Sequence, residues 1–440
     1  MLIYITFMEN MDEKIYEIMD ENEEFHIITE KNEIDMIETS VQLMYDFIKE
    51  NPLIISDPDF NEILKENVKL IWDTTLPENN NFFKSSLNED ENEEDIDYII
   101  ELSTIIFYKT IIPPRSFPHT FTYPISQEYI NTIQNKIIKI KSKIQPEQRT
   151  PEWYIFRHKL ITASNAYKAF ENQNTQNQLI YEKCKPPVNY DDGHVNVESS
   201  LHWGQKYESL SVMLYEKEYN TKIGEFGCLQ HSDYSFLGAS PDGITIDPSC
   251  NSTLYGRMLE IKNVVSREID GIPKKEYWIQ MQLQMEACDL DECDFLETKF
   301  TEYESENDYI NDTQNTELKK GIIMYFSNKL SNKPVYIHKP YEMSFETFEL
   351  WCEKKIDEFS HLLWIKNIYW KLDEFSCVLV LRNRIWFQDA VPILREVSEI
   401  IDKEKITGYE HRAPKKRILK NEEVSTLPSK INISSFYKKN

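Results

Sequence analysis

The sequence predicts a mixed α/β (α+β) protein, in which helices flank a mixed sheet and a mainly helical, acidic region precedes this core. Strand-like and helix-like runs alternate in the middle of the chain, an order typical of a mixed core. The strand-like runs are 236–239, 244–246, 258–261 and 321–326, and the helix-like runs are 201–219 and 274–287. Six of the ten glycines fall between residues 204 and 256, which indicates tight turns or close backbone approaches there.

Helical spacing of apolar residues also marks the regions before the core. One such stretch is 34–47, and a second, 128–144, ends before Pro146. The predicted regions are an acidic, mainly helical region of unknown role (1–87), an acidic linker (88–97), a helical connector (98–145), a main domain with a C-terminal helical extension (146–402) and a basic flexible tail (403–440).

The net charge of −26 is concentrated at the N-terminal end of the chain. Residues 1–100 hold 27 acidic and 6 basic residues, whereas residues 101–200 hold 9 acidic and 12 basic residues. Lys and Arg side chains normally dominate affinity for nucleic acids, so the overall charge argues against such a partner. Its uneven distribution leaves the middle of the chain able to bind one.

Composition disfavours a membrane protein and a metal–thiolate protein. The apolar stretch 96–112 is interrupted by three charged residues, and the first residues lack the basic start of a signal peptide, so we expect a soluble, intracellular protein. The seven cysteines are scattered without a CxxC pair. We therefore expect reduced thiols, no zinc site and no iron–sulfur cluster.

Two short motifs carry the strongest chemical signal. Asp242 lies in a Ser-Pro-Asp-Gly turn, and Glu260-Ile261-Lys262 follows eighteen residues later in a predicted strand. Residues two apart on a strand share a face, so Glu260 and Lys262 project together while Ile261 enters the core. The two carboxylates and the Ile261 backbone carbonyl can hold Mg²⁺ for phosphodiester hydrolysis, and the lysine adds positive charge beside the nucleophile or phosphate.

Two further residues fit this arrangement. Glu208, on the preceding predicted helix, can complete the carboxylate set or hold a second ion, and Gln280, on the following helix, can orient the lysine or a water molecule. Each motif alone is weak, because a Glu-x-Lys on a strand is usually a solvated face. We interpret the nearby His202, Trp203 and His231 as structural.

The order of these motifs resembles one family of nucleases. The motifs are Trp153-x3-Arg157-x3-Ile161-Thr-Ala-Ser164, Gly204-x3-Glu208, Gly238-Ala-Ser-Pro-Asp242-Gly243, Glu260-Ile-Lys262 and Tyr277-x2-Gln280. Over about residues 146–330 the chain resembles the YqaJ-type viral recombinase family, the lambda-exonuclease branch of the restriction-endonuclease-like PD-(D/E)xK fold. Through Asp402 it is similar to extended versions from large double-stranded DNA viruses.

The resemblance implies a function and a set of roles. It implies a Mg²⁺-dependent 5′→3′ double-strand DNA exonuclease, with Mn²⁺ as a possible substitute, that resects ends in viral recombination or replication. Asp242, Glu260 and the Ile261 carbonyl would ligate the metal, and Arg157 with Ser164 would bind the terminal 5′-phosphate. It also implies a single-strand annealing protein as a partner, a trimeric ring, and a location in the host cytoplasm or nucleus.

Two other functions stay open. The same core supports a structure-selective or nicking endonuclease, and preference for phosphorylated ends distinguishes the two activities. A non-catalytic DNA-processing adaptor would use the core as a scaffold and the acidic region to bind basic partners. The intact acid-acid-lysine set argues against an adaptor.

The tail suggests a sliding-clamp partner. Ile433, Phe436 and Tyr437 follow the spacing of a clamp-interaction motif, with Lys430 in place of its usual first glutamine. Residues 403–440 hold 10 basic and 4 acidic residues, so DNA tethering or nuclear import also explains this segment. A disordered peptide of this kind can fold when it docks into an apolar pocket.

Overall fold

The computed structural model describes residues 31–75, 89–119, 125–148, 150–187, 196–197, 199–313, 319–341 and 343–414. These residues form a mixed main sheet of eight strands, a small sheet of three strands, and helices that flank them. The predicted tail residues Ile433, Phe436 and Tyr437 lie outside the described residues.

The described helices, numbered in chain order, are α1 (Lys31–Glu50), α2 (Phe60–Thr75), α3 (Glu89–Thr110), α4 (Gln127–Ser142), α5 (Pro151–His158), α6 (Ala163–Ala166), α7 (Gln173–Cys184), α8 (Ser200–Glu218), α9 (Lys275–Cys288), α10 (Glu306–Asn311), α11 (Phe345–Glu358) and α12 (Arg384–Thr407). The described strands are β1 (Phe117–Pro118), β2 (Ile161–Thr162), β3 (Ile223–Gly224), β4 (Leu229–Gln230), β5 (Leu237–Ala239), β6 (Gly243–Thr245), β7 (Met258–Asn263), β8 (Glu292–Glu302), β9 (Lys320–Asn328), β10 (Pro334–His338) and β11 (Leu362–Leu381).

The main sheet has the strand order β10-β9-β11-β8-β7-β6-β3. Its β7–β8 pair is parallel and its other pairs are antiparallel. The long strand β11 pairs with β9 along its first half and with β8 along its second half. Beyond the end of β9, the short strand β1 pairs with the second half of β11, on the edge that faces away from β8. The strand that carries Glu260 and Lys262 therefore lies inside the sheet, next to its parallel neighbour β8.

The small sheet, with the order β2-β5-β4, leads directly into the predicted metal-binding turn. The chain leaves β5 at Ala239, passes through Asp242 and enters β6 of the main sheet at Gly243. A side chain at Gly243 would collide with Ile223 on β3, so the close β6–β3 contact requires glycine there. The turn is thus fixed at the junction of the two sheets.

Helices α8 and α9 cover opposite faces of β7. Almost every residue of α9 from Trp278 to Cys288 is buried, as expected for a helix that is enclosed on all sides. On the other face, Tyr215 of α8 packs with Leu259 and Ile261 in one apolar cluster. The alternation along β7 predicted from the sequence is confirmed, because Glu260 faces α9 and Ile261 faces α8.

The acidic segment 88–97 is not a linker, because α3 begins at Glu89. After the acidic residues, one face of α3 is apolar, and its residues Ile99, Leu102 and Ile106 are buried against α1. Lys69 of α2 pairs with Asp97 at 2.8 Å, which places part of the negative charge against another helix. Acidic residues are also favourable at a helix N-terminus, so the charge run is compatible with a helix.

Three other predicted boundaries also need correction. The connector 98–145 contains β1, which pairs with β11, and Arg115, which donates to the Pro273 carbonyl at 2.7 Å, so it is part of the core. The extension predicted as helical contains the 20-residue strand β11. The tail was predicted to start at 403, but α12 continues to Thr407 and Arg412 pairs with Glu404. Among the described residues, no helix has the length and apolar character of a membrane span.

Candidate active site

Asp242 is anchored to the backbone of β7. Its Oδ2 accepts a hydrogen bond from the Ile261 N–H at 2.7 Å. The β6–β7 ladder pairs residues 258 and 259 with β6, so Ile261 lies beyond it and its peptide edge is open to Asp242. The N–H and C=O of one strand residue point to the same side. The Ile261 carbonyl therefore lies on the same edge of β7 as the Asp242 carboxylate, as the sequence predicted.

Glu260 is held by three side-chain donors. Lys262 contacts its Oε1, Gln280 donates to the same oxygen from Nε2 at 2.7 Å, and Gln284 donates to Oε2 at 2.7 Å. The carboxylate is almost completely buried, with 1% of the side chain exposed. Such hydrogen bonds to both oxygens hold the carboxylate in one position.

Lys262 lies between the carboxylates and the aromatic ring of Tyr277. Its Nζ lies 4.7 Å from the ring centroid and 3.4 Å from Oε1 of Gln280. Burial lowers the pKa of Lys262, but the charges of Glu260 and Asp242 outweigh this effect and leave the pKa above its usual value. The ammonium group is therefore a permanent positive charge at the site.

The carboxylates carry an excess of negative charge. Burial first, and then the charges of Glu260 and Glu208, raise the pKa of Asp242 well above its usual value, against the opposing effects of Lys262 and the Ile261 N–H. Like-charged groups that converge in a partly buried site repel one another unless a cation joins them. The arrangement thus suits a bound cation with oxygen ligands.

These residues line one cleft of about 680 Å³. All the predicted site residues within the described part of the chain line it, namely Arg157, Ser164, Glu208, Asp242, Glu260, Ile261, Lys262 and Gln280. Arg157 donates from Nη2 to Oγ of Ser164 at 3.1 Å, and its guanidinium stacks on the ring of Trp153 at 4.2 Å. The predicted phosphate pocket and the carboxylates therefore open into the same space.

A second cavity of about 670 Å³ continues the cleft beyond the carboxylates. It shares Gln148, Glu208 and Asp242 with the first cavity, and its far side carries Lys141 and Lys143. The carboxylates thus stand at the junction of two adjoining spaces, one next to Arg157 and one next to the lysines of α4 and the segment after it.

Gln284 was not predicted as a site residue from the sequence. It lies four residues after Gln280, so both amides lie on one face of α9 and reach the two oxygens of Glu260. The Gln-x3-Gln spacing was visible, but only the fold places it opposite β7. Asn263 was also missed: it donates to the Gly204 carbonyl at 3.0 Å and so ties the end of β7 to α8, the helix of Glu208.

The residues interpreted as structural do not line the cleft. His202 contacts the Tyr336 hydroxyl at 2.6 Å, and Nδ1 of His231 accepts from the backbone N–H of Asp233 at 3.0 Å. The ring of Trp203 packs against that of Tyr207 in a tilted arrangement, with ring centroids 4.7 Å apart. Each has local packing partners that account for its position.

Comparisons with known proteins come from sequence and from structure. Residues 152–291 match the model of the YqaJ-like viral recombinase domain. An uncharacterised protein of Acanthamoeba polyphaga mimivirus is 29% identical over 371 residues, which are 75% of this chain and 65% of that protein. The chain thus spans less than two thirds of the length of this curated relative.

Similar solved structures include an alkaline exonuclease from Laribacter hongkongensis, with 16% identity, a TM-score of 0.35, and coverage of 58% of this chain and 94% of that chain. A phage-related exonuclease from Haemophilus somnus has 13% identity, a TM-score of 0.30, and coverage of 58% and 96%. The family match contains every residue of the cleft that the sequence motifs predicted, from Arg157 to Gln280. The central part of the chain, residues 152–291, is therefore similar to the YqaJ-like viral recombinase domain.

Proposed function

We propose that this chain is a Mg²⁺-dependent deoxyribonuclease that degrades double-stranded DNA from its 5′ ends, in the 5′→3′ direction, to resect ends in viral recombination or replication. The observation that carries the proposal is the convergence of two residue groups in one cleft. Asp242, Glu260 and Lys262 line its catalytic end, and Arg157 with Ser164 lines its other part. The family match adds support for a role in recombination.

The donor set fits Mg²⁺. Asp242, Glu260 and the Ile261 carbonyl offer only oxygen atoms, which are the ligands that Mg²⁺ and Mn²⁺ prefer. Glu208 raises the pKa of Asp242 through its charge, so it is near enough to assist or to hold a second ion. Bound there, the metal would neutralise charge that develops on the scissile phosphate and make the attacking water more acidic.

The protein residues position the reacting groups. Gln280 and Gln284 fix Glu260, so its orientation is set before the substrate binds. Lys262 remains protonated because the two carboxylates raise its pKa. Its ammonium group would offset the negative charge of the phosphate or stabilise the nucleophile during attack.

End recognition would come from Arg157 and Ser164. A guanidinium and a hydroxyl at 3.1 Å from each other match the oxygens of a terminal phosphate dianion. Trp153 packs under the guanidinium and limits its movement. Such contacts read the end and the backbone of DNA but not its bases, so we expect no sequence specificity.

The second cavity would accept a DNA strand on the far side of the carboxylates. Its lining includes Lys141 and Lys143, which can contact a phosphate backbone, together with the acidic residues Glu147, Glu208, Glu225 and Asp242. Between Arg157 and these two lysines, a phosphodiester would lie against the carboxylates. This continuity favours a substrate that extends past the catalytic residues.

A non-catalytic adaptor is disfavoured by the electrostatics of the cleft. Burial first, and then the charges of Glu260 and Glu208, raise the pKa of Asp242, so this group of carboxylates favours a bound cation. A non-catalytic scaffold would not require three carboxylates to converge in a cleft. An endonuclease on the same core would keep the carboxylates but would not need the Arg157–Ser164 pocket.

The test is digestion of end-labelled duplexes with Mg²⁺. Linear duplexes with 5′-phosphate or 5′-hydroxyl ends are compared with a closed circle and a nicked circle. We expect mononucleotide release from 5′-phosphorylated ends and no loss of the closed circle. Nicking of the closed circle would favour the endonuclease. If neither Mg²⁺ nor Mn²⁺ supports cleavage of any substrate, the proposed nuclease activity is refuted.

A further inference from the structure

A second cluster of potential metal ligands lies on the opposite face of the main sheet from the catalytic residues. Nε2 of His119 is 3.0 Å from Oδ2 of Asp294. These two atoms and Sγ of Cys377 all lie within 4.8 Å of one another. The Asp294 side chain is fully buried, and that of His119 is 14% exposed. The cluster shares no residue with the cleft.

Three neighbouring strands bring these donors together. Cys377 lies on β11, where it pairs with Leu296 of β8, and Asp294 lies two residues earlier on β8. On the other side of β11, Pro118 of β1 pairs with Val378, so His119 follows at the level of Cys377. The sheet therefore holds the three donors on one face, beneath the C-terminal end of α8.

We propose that His119, Asp294 and Cys377 form a binding site for Zn²⁺ or a chemically similar transition-metal ion, contrary to the expectation of no zinc site, which considered only the spacing of residues in the sequence. Imidazole nitrogen, carboxylate oxygen and thiolate sulfur are the three ligand types that such ions share in proteins. The 3.0 Å between the nitrogen and the oxygen is close to the roughly 3.3 Å between adjacent ligands when metal–ligand bonds are about 2.0 Å in a tetrahedral site. A water molecule completes the four ligands.

Asp294 is also fixed by a buried ion pair. Arg257 donates from Nε to Glu292 at 2.7 Å and from Nη1 to Asp294 at 3.2 Å. All three side chains are at most 6% exposed. The guanidinium therefore holds Oδ1 of Asp294 and leaves Oδ2 directed towards His119.

A neighbouring hydroxyl holds one ligand in place. The Tyr215 hydroxyl donates to Oδ2 of Asp294 at 2.6 Å, and the ring of Tyr219 stacks on His119 with centroids 3.8 Å apart. Partners of this kind orient metal ligands in proteins. The ion would fasten β1, whose described pairing is two residues long, to β11 and β8.

Metal content and a cobalt spectrum of the full-length protein test the proposal. Protein expressed with zinc in the medium and passed over a desalting column is analysed by mass spectrometry for metals, and we expect about one zinc ion per chain. Exchange for Co²⁺ is expected to produce a thiolate-to-cobalt charge-transfer band. The cleft cannot give this band, because no cysteine lines it.

Two ligand variants and two controls complete the test. Cys377→Ser is expected to lose the band, and His119→Gln to reduce zinc content at least tenfold. Cys352→Ser changes a half-buried thiol on α11 and is expected to keep both signals. Asp242→Asn, in the cleft, is expected to keep them as well. Wild-type protein without zinc and without the cobalt band would overturn the proposal. A band that persists in Cys377→Ser would also overturn it.

Discussion

Replacing Asp242 by asparagine is expected to abolish cleavage and to stabilise the metal-free protein at the same time. The asparagine carbonyl oxygen can still accept the Ile261 N–H that Asp242 accepts at 2.7 Å, so the turn keeps its anchor. The negative charge is lost, and with it one of the proposed metal ligands. We expect a fall in cleavage rate on the order of a thousandfold or more, which corresponds to about 4 kcal/mol in activation free energy.

The gain in stability follows from the burial and the neighbouring charges that raise the pKa of Asp242. By Coulomb's law, any two like unit charges separated by about 6 Å repel each other by on the order of 3 kcal/mol at an effective dielectric constant of about 20. Lys262 offsets part of this repulsion. We therefore expect the free energy of unfolding without metal to rise by about 1 to 2 kcal/mol, and Mg²⁺ to stabilise the variant less than the wild type.

The assay combines digestion of a labelled duplex with thermal unfolding in the presence and absence of Mg²⁺. Asp247→Asn is the matched control, because Asp247 lies five residues later, bonds to Ser249 and does not line the cleft. The reasoning is refuted if Asp242→Asn keeps a tenth of the wild-type rate. It is equally refuted if Mg²⁺ stabilises the variant and the wild type alike.

Four further predictions follow from single contacts. Lys262→Met should lower the cleavage rate about 100- to 1,000-fold without weakening Mg²⁺ binding in a calorimetric titration, and a parallel loss of both would contradict its role. Arg157→Ala should reduce the preference for 5′-phosphate over 5′-hydroxyl ends by about 10- to 100-fold in the end-labelled assay, and an unchanged preference would favour the endonuclease. Burial, reinforced by Arg157, lowers the pKa of Lys183 from 10.5 to about 8 in the folded protein. The unfolded chain therefore binds more protons between these values, and the free energy of unfolding should rise with pH by about 3 kcal/mol from this group; denaturant titrations at several pH values should show a smaller rise in Lys183→Met. A peptide of residues 421–440 should bind a sliding clamp from the same replication system in a calorimetric titration, and Phe436→Ala/Tyr437→Ala should abolish binding; no binding at high micromolar peptide would end that idea.

The catalytic motifs were predictable because local geometry determines their arrangement. The two-residue period of a strand places Glu260 and Lys262 on one face, and Pro and Gly on both sides of Asp242 indicate a turn. Contacts between distant segments were not predictable in this way. Gln284 became recognisable only once α9 was placed opposite β7, and the donors His119 and Asp294 are 175 residues apart in sequence.

Errors in the predicted regions have physical causes. The acidic run before Ile96 was predicted to be a linker because of its charge. The buried apolar face that follows it on the same helix stabilises α3 instead. Strand β11 was overlooked because Lys366, Lys371, Asp373 and Glu374 interrupt its apolar residues. Several of these charges lie in ion pairs on the sheet, such as Lys299 with Glu374 at 2.6 Å. Charge along a strand therefore does not exclude a position inside a sheet.

Strand β11 lies between β9 and β8 in the main sheet but is synthesised after both of them. The ribosome produces β7, β8 and β9 before residue 362, but β8 and β9 have no common neighbour until β11 emerges. Until then the nascent chain presents two long strand edges without their partner β11, and these edges can pair with other chains. Expression of the family-matched segment 152–291 alone would omit β8 as well. We expect such fragments to aggregate, so a stable shortened form of this chain must extend at least through Leu381.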